Sequence, residues 1–128
     1  EKIKRILARK ICIAENYNRL LQNFTGLKLP CEAPWAKHIY WMYTVLFDEN
    51  ITKIQRDDII RKLKENRIDA RPAFIPMHKQ PIYKSEEKHP VAEKISRQGI
   101  CLPSYVNIRE VDQMRICNTI KEIITTYS

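Results

Sequence analysis

His38-Ile-Tyr-Trp-Met-Tyr-Thr-Val-Leu-Phe47 is the stretch on which the fold turns. Aromatic and β-branched residues dominate it, so it predicts a strand, with Ile39, Trp41, Tyr43, Val45 and Phe47 on one face. That face must be core. His38, Tyr40, Met42, Thr44 and Leu46 line the other face, which is also too apolar for open water, so the sheet needs cover on both sides. The chain has few elements to spare for the second side, and a partner surface outside it is implied. His38, at the start of the run, reads as a histidine hydrogen-bonded at a strand end rather than as a ligand.

Upstream of the strand, Ile3, Ile6, Leu7, Ile13, Ala14, Tyr17, Leu20, Leu21 and Phe24 recur at helical spacing. They predict an amphipathic helix ending near Gly26, with Lys10 the one polar intrusion in the stripe. Its opposite face is basic, with Lys2, Lys4, Arg5, Arg9 and Arg19. The periodicity is already running at residue 3 with no capping residue and no initiator Met, as in a helix cut from a longer chain. Leu29 to Trp35 is a proline-punctuated turn. Downstream, Arg56 to Asn66 reads as a short helix, with Asp57 and Asp58 in its first turn and Ile59, Ile60 and Leu63 inward. Ile68 to Phe74 is a second strand. Pro90 opens a helix whose buried side is Val91, Ala92 and Ile95, and Gly99 is its C′ stop. Ile100-Cys101-Leu102 is a third strand, and a last helix runs from about Arg109 to Tyr127. The order predicts an α+β layer: a small three-stranded antiparallel sheet with helices packed on one face.

Between the second strand and the third helix lies Arg71-Pro-Ala-Phe-Ile-Pro-Met-His-Lys-Gln-Pro-Ile-Tyr83. Pro72, Pro76 and Pro81 fix φ and remove three backbone donors, so this is a stiff loop with little entropy left to lose on meeting a ligand. Arg71, His78, Lys79, Gln80 and Tyr83 supply the directed donors and positive charge that suit hydroxyls and phosphates. A solvated surface connection would have the same composition.

With 128 residues, 44% hydrophobic and 30% charged, the chain is one ordinary globular domain, and only two glycines leave little room for flexible linkers. A net charge of +8 favours anionic partners without choosing among nucleic acid, membrane surface and nucleotide-linked metabolite. Cys12, Cys31, Cys101 and Cys117 have no zinc spacing and read as reduced thiols in a cytoplasmic protein. No apolar run reaches membrane-spanning length. The sequence has no Gly-rich phosphate loop, Gly-x-Ser-x-Gly, His-Glu-x-x-His or zinc cluster. Asp57 and Asp58, adjacent on a helix, point apart, and Cys31 with His38 lacks anything to depress a thiol pKa. No catalytic residue and no metal site is assigned, and a self-contained enzyme is not expected.

Trp41-x-Tyr43, Arg56-Asp57, Leu63-Lys64-x-x-x-Ile68, Arg71-Pro72, Pro76-Met77-His78-Lys79-Gln80-Pro81-x-Tyr83, Pro90-x-Ala92-Glu93-x-x-Ser96-x-x-Gly99-Ile100 and Leu102-Pro103-Ser104 form an ordered series. It resembles the C-terminal part of the sugar-nucleotide aminotransferases of the DegT/DnrJ type, over nearly the whole chain from the Ile13-Ala-x-x-Tyr17 helix onward. The resemblance implies a fold-type I, pyridoxal-phosphate-dependent homodimer that aminates a nucleotide-linked keto sugar, commonly with glutamate as donor. It implies that the lysine and phosphate groups holding the cofactor lie in a large domain outside these 128 residues. Residues 1–25 would then be the interdomain helix and 26–128 the small domain, inactive and without cofactor on its own, with the large domain as its partner. By the same likeness the loop faces the active-site cleft, with His78 the leading substrate contact and Gln80, Tyr83 and Arg71 behind it.

Two positions depart from the family pattern. Arg67 stands where a glycine usually ends the helix in a left-handed turn, at a cost of about 1 kcal/mol if that turn is kept. Arg109 replaces a capping Thr or Ser, which weakens the last helix's start by about 1 kcal/mol. The other readings are a free-standing basic module that binds nucleic acid through the first helix, and a dimerisation fragment held by the second face of the sheet. The first helix has no aromatic residues interleaved with its basic face, which disfavours single-strand recognition.

Overall fold

In chain order the computed structural model, which describes residues 1–127, contains α1 (Lys2–Leu21), β1 (Leu27–Lys28), β2 (Tyr43–Phe47), α2 (Arg56–Glu65), β3 (Arg71–Pro72), α3 (Pro90–Gln98), β4 (Gly99–Leu102) and α4 (Glu110–Thr126). Two short 3-10 turns, Met77–Lys79 and Pro81–Tyr83, follow β3. The sheet runs β1-β2-β4-β3 and every pairing is antiparallel. The α+β class holds, with four strands rather than three: Leu27–Lys28 adds the outermost one by pairing with Leu46 and Phe47.

Alternation along β2 decides what lies where. Tyr43, Val45 and Phe47 are buried; Tyr43 and Val45 pair in register with Leu102 and Ile100 of β4, and Phe47 with Leu27 of β1. With Ile13, Tyr17 and Leu21 of α1, Ile59 and Leu63 of α2, and Ile116, Ile120 and Ile124 of α4, they form one core. Thr44 and Cys101, opposite each other in the register, share the other face, where Ala73 and α3 approach across Gly99. Three helices therefore cover one face of the sheet, and α3 with the 73–83 loop flanks the other.

The expected strand from His38 begins only at Tyr43, and Ile39 and Trp41, expected in the core, are 54% and 68% exposed. Tyr40 causes this. Its φ of 48° breaks the extended run, and its N–H donates to His38 Nδ1 at 2.8 Å, a side-chain turn that competes with sheet pairing. Tyr40 itself turns inward and stacks against Tyr43 at 6.5 Å. His38 is hydrogen-bonded as expected, but in this turn ahead of β2 rather than at a strand end, and Trp41 stacks on Phe74 at the surface, ring centroids 6.0 Å apart. α1 stops at Leu21, five residues before the expected Gly26, because Asn23 takes φ 62° and Gly26, at φ 99°, instead offers its carbonyl to Asp48 N–H. Of the α1 stripe, Ile3 is exposed, and Ile13 is the first residue fully buried.

Two basic side chains of α1, Lys10 from the apolar stripe and Arg9 from the basic face, are spent inside the fold. Lys10 Nζ donates to the Ser104 carbonyl at 2.6 Å, and burial lowers its pKa. The Arg9 guanidinium donates to the Val106 and Ile108 carbonyls at 3.1 and 2.7 Å. Both side chains clamp the loop after β4. All four cysteines are free thiols; Cys12 and Cys31 are exposed, and Cys101 and Cys117 are buried and pack as small hydrophobes. Burial pushes the Cys117 thiol up to about 12.

α2 ends in a full Schellman motif. Ile68 N–H reaches the Leu63 carbonyl at 2.9 Å, Arg67 N–H reaches that of Lys64 at 2.8 Å, and Leu63 and Ile68 are buried together. The C′ residue is Arg67, at φ 58°. Because glycine takes this conformation without the Cβ clash, Arg67→Gly should stabilise the chain by about 1 kcal/mol. Urea unfolding would measure it, and an unchanged midpoint at constant slope would exclude the assigned strain. At the start of α4, Arg109 makes no capping hydrogen bond and instead grips Asp112 with two guanidinium bonds of 2.8 and 3.0 Å.

Candidate functional site

The loop between β3 and α3 owes its stiffness to prolines and to its own hydrogen bonds. Ala73 N–H donates to the Gly99 carbonyl at 2.9 Å, holding the loop's start against β4. Lys79 N–H to Pro76 O, Gln80 N–H to Met77 O and Tyr83 N–H to Gln80 O, each 3.0 Å, wind residues 77–83 into two successive 3-10 turns. Ser85 N–H then returns to the His78 carbonyl at 3.3 Å.

His78 is buried, whereas Arg71 and Tyr83 are exposed and Gln80 is half-buried. His78 Nε2 lies 3.0 Å from Glu93 Oε1 on the first turn of α3. The same carboxylate oxygen accepts from His89 N–H at 3.3 Å, which caps α3, and Lys79 Nζ sits 3.4 Å from Oε2. These partners, the His78 hydrogen bond first among them, hold the Glu93 carboxyl below its ordinary range. The His89 ring leans on that of His78 at 4.7 Å, tilted by 56°, and its Nε2 faces Glu87 at 3.3 Å.

The side chains of the four residues singled out from sequence make no hydrogen bond to one another, although the Tyr83 N–H does reach the Gln80 carbonyl. Arg71, on the sheet edge, pairs with Asp69 at 3.2 Å. Gln80 turns its amide back to the Ile75 carbonyl at 3.2 Å. Alone of the four, it lines the adjacent open groove of about 620 Å³, whose walls, Thr44 apart, are otherwise apolar: Phe74, Ile75, Met77, Ile95 and Cys101 are among them. Sequence reasoning missed Glu93 as a partner of His78. The available signal was an acid in the first turn of a proline-started helix, the position where its carboxylate can reach back to the preceding backbone.

Among the described residues no three His, Cys, Asp or Glu side chains gather where they could hold a metal, and no helix is long and apolar enough to cross a membrane. Beside His78, Lys79 pairs with Glu93, and the neighbouring groove is lined mainly by apolar residues.

Residues 1–121 match the sequence profile of the DegT/DnrJ/EryC1/StrS aminotransferase family. The GDP-perosamine synthase of Escherichia coli O157:H7 is 31% identical over 117 residues, 91% of this chain and 31% of that protein. The GDP-perosamine synthase of Vibrio cholerae is 30% identical over 124 residues, 94% of this chain and 33% of that protein. The crystal structure of the aminotransferase TlmJ from Streptoalloteichus hindustanus superposes with a TM-score of 0.81 at 24% identity, over 94% of this chain and 32% of that one, a likeness of fold. The chain spans about a third of the length of the curated relatives it matches.

Proposed function

We propose, because this chain belongs to the DegT/DnrJ/EryC1/StrS aminotransferase family, that it is the C-terminal small domain of a parent enzyme that aminates a nucleotide-linked keto sugar. Residues 26–128 form the domain and contribute the substrate-side wall of the active site, and residues 1–25 link it to a large domain. Pyridoxal phosphate, bound by that large domain, supplies the electron sink for amino transfer. The present chain binds and orients substrate: His78 is the leading contact, Gln80 and Tyr83 follow on the same 3-10 turns, and Arg71 stands at the sheet edge. The parent works in the cytoplasm as a homodimer.

One observation carries this reading. The segment matching the family's Pro-Met-His-Lys-Gln-Pro run is wound and hydrogen-bonded in place beside an open groove, so its side chains meet a ligand at low ordering cost. Exposed Trp41, Phe74, Ile75 and Met77 agree with a domain that docks on further polypeptide. Within the basic face of α1, the diversion of Arg9 to backbone carbonyls and of Arg19 to Glu110 counts against a nucleic-acid surface there.

His78→Ala in the parent protein should raise KM for the nucleotide sugar about 3- to 10-fold while KM for the amino donor stays put, since one hydrogen bond is lost to one substrate. Steady-state kinetics with each substrate varied checks it. Unchanged kinetics would remove His78 from the site, and a parent with no transaminase activity on any nucleotide-linked keto sugar would overturn the assignment.

A further inference from the structure

Glu93 does more than cap α3. A carboxylate held below its ordinary pKa range is ionised at neutral pH and can only accept hydrogen bonds. Its Oε1 sits 3.0 Å from His78 Nε2, so that nitrogen must carry the proton whenever the ring is neutral. The other nitrogen is then fixed by elimination: Nδ1 holds the lone pair. It has no hydrogen-bond partner among the described residues, and since none of their fully buried side-chain nitrogens or oxygens lacks one, Nδ1 is not wholly sealed from solvent although His78 is buried. The His89 ring and Lys79 bear on the same cluster, from the start of α3 and from the first 3-10 turn.

We infer that Glu93 is a positioning residue: it locks neutral His78 as the Nε2–H tautomer, so that the ring offers an acceptor at Nδ1 and selects a hydrogen-bond donor on the ligand, a sugar hydroxyl or amino group rather than a phosphate. This rests on the reading above that His78 meets substrate, and it narrows what His78 can meet there. An anionic phosphate oxygen has no proton to give, and two lone pairs facing each other repel. The hydrogen bond to Glu93 also holds the ring in a single orientation, so the acceptor is aimed before the ligand arrives.

The test has two arms. In the first, this chain is labelled with 15N at histidine, and the His78 ring nitrogens are followed in the neutral ring, with H78Q assigning the signals. Wild type should show Nε2 protonated, with its proton exchanging slowly with water, and Nδ1 unprotonated. Glu93→Ala should release the ring to the fast-exchanging mixture of free histidine, whereas Glu93→Gln, whose amide oxygen still accepts, should keep the wild-type tautomer. A wild-type ring that is mixed or protonated at Nδ1, or an E93A spectrum identical to wild type, overturns the inference. In the second arm, the parent protein carrying E93A should show KM for the nucleotide sugar raised about 3- to 10-fold with kcat little changed, and E93Q should lie near wild type. A fixed tautomer combined with an unmoved KM would overturn His78 as a ligand contact while leaving its coupling to Glu93 intact, so the two failures are told apart.

Discussion

Gly99→Val should lower the stability of this chain by about 3 kcal/mol, and its melting temperature by roughly 10 °C. The reason is space and not backbone freedom. Gly99 is extended, at φ −80° and ψ 131°, a conformation open to any residue. An added Cβ, however, would stand 2.5 Å from Ala73 Cβ and 2.6 Å from the Ile95 carbonyl oxygen. Neither neighbour is the loose end of a flexible chain. Ala73 is tied to Gly99 itself through its N–H, and the Ile95 carbonyl accepts the N–H of Gly99 at the end of α3. Relief therefore requires α3 or the loop to shift away from β4. Gly99→Ala meets the same two contacts and should cost about 2 kcal/mol, because the 0.4–1 kcal/mol gained by stiffening the unfolded chain only partly offsets the clash. Ala73→Gly should restore part of that loss in the double variant, giving a coupling of about 1 kcal/mol in a double-mutant cycle. Urea unfolding measures Gly99→Val and the four proteins of the cycle. A Gly99→Ala midpoint matching wild type, or strict additivity with Ala73→Gly, would mean that the junction is looser than drawn.

This glycine also illustrates what the sequence disclosed about the fold and what it withheld. Proline at 90 and glycine at 99 were enough to bracket α3, since both act through local geometry. The reason for Gly99 was not legible: the expected left-handed stop is absent, and the need for a bare Cα arises only when Ala73, 26 positions earlier, packs over it. The reverse holds at Arg67, where a non-glycine residue does occupy the left-handed position, and the Leu63–Ile68 contact across the Schellman motif outweighs the strain. Strand length was misread for a similar cause. Period-two alternation from Ile39 to Phe47 is real in the sequence, but one residue with positive φ, Tyr40, reverses the parity, and alternation alone carries no sign of it. β1 is two residues long and exists only because Phe47 and Leu46 offer it an edge, so no local pattern announces it.

The site follows the same rule. Local chemistry picked out the loop, because three prolines and a cluster of polar groups are features of contiguous sequence. The side chain that governs its histidine lies 15 positions away on another element, and helix phase alone brings it there. Gln80 was readable as a polar group, but its bond to the Ile75 carbonyl, which spends its amide donor on closing the loop, was not.

The largest single-residue loss is expected at Tyr17. Its side chain is fully buried, its ring stacks on Tyr43 with centroids 4.7 Å apart and planes at 23°, and its hydroxyl donates to the Pro103 carbonyl at 2.7 Å. Burial raises its phenol well above the ordinary tyrosine range, so the group stays a neutral donor at any pH at which the chain folds. Three elements thus meet at one residue: α1 carries it, β2 stacks on it, and the end of β4 is held by its hydroxyl. Tyr17→Phe keeps the ring and abandons the carbonyl at Pro103, a loss of about 1–2 kcal/mol for a buried acceptor left unpaired. Tyr17→Ala empties the site. The stacking partner, the hydroxyl bond and the van der Waals contacts go together, so the cost should be about 4 kcal/mol, within reach of the whole stability of a domain this size. The pair of variants separates packing from hydrogen bonding, because both lose the hydroxyl and only one loses the ring. Were Tyr17→Phe as damaging as Tyr17→Ala, the tie to Pro103 would be what holds the sheet to α1. Were both mild, α1 would contribute little to the core, and the docking of the first helix on β2 and β4 would have to be redrawn.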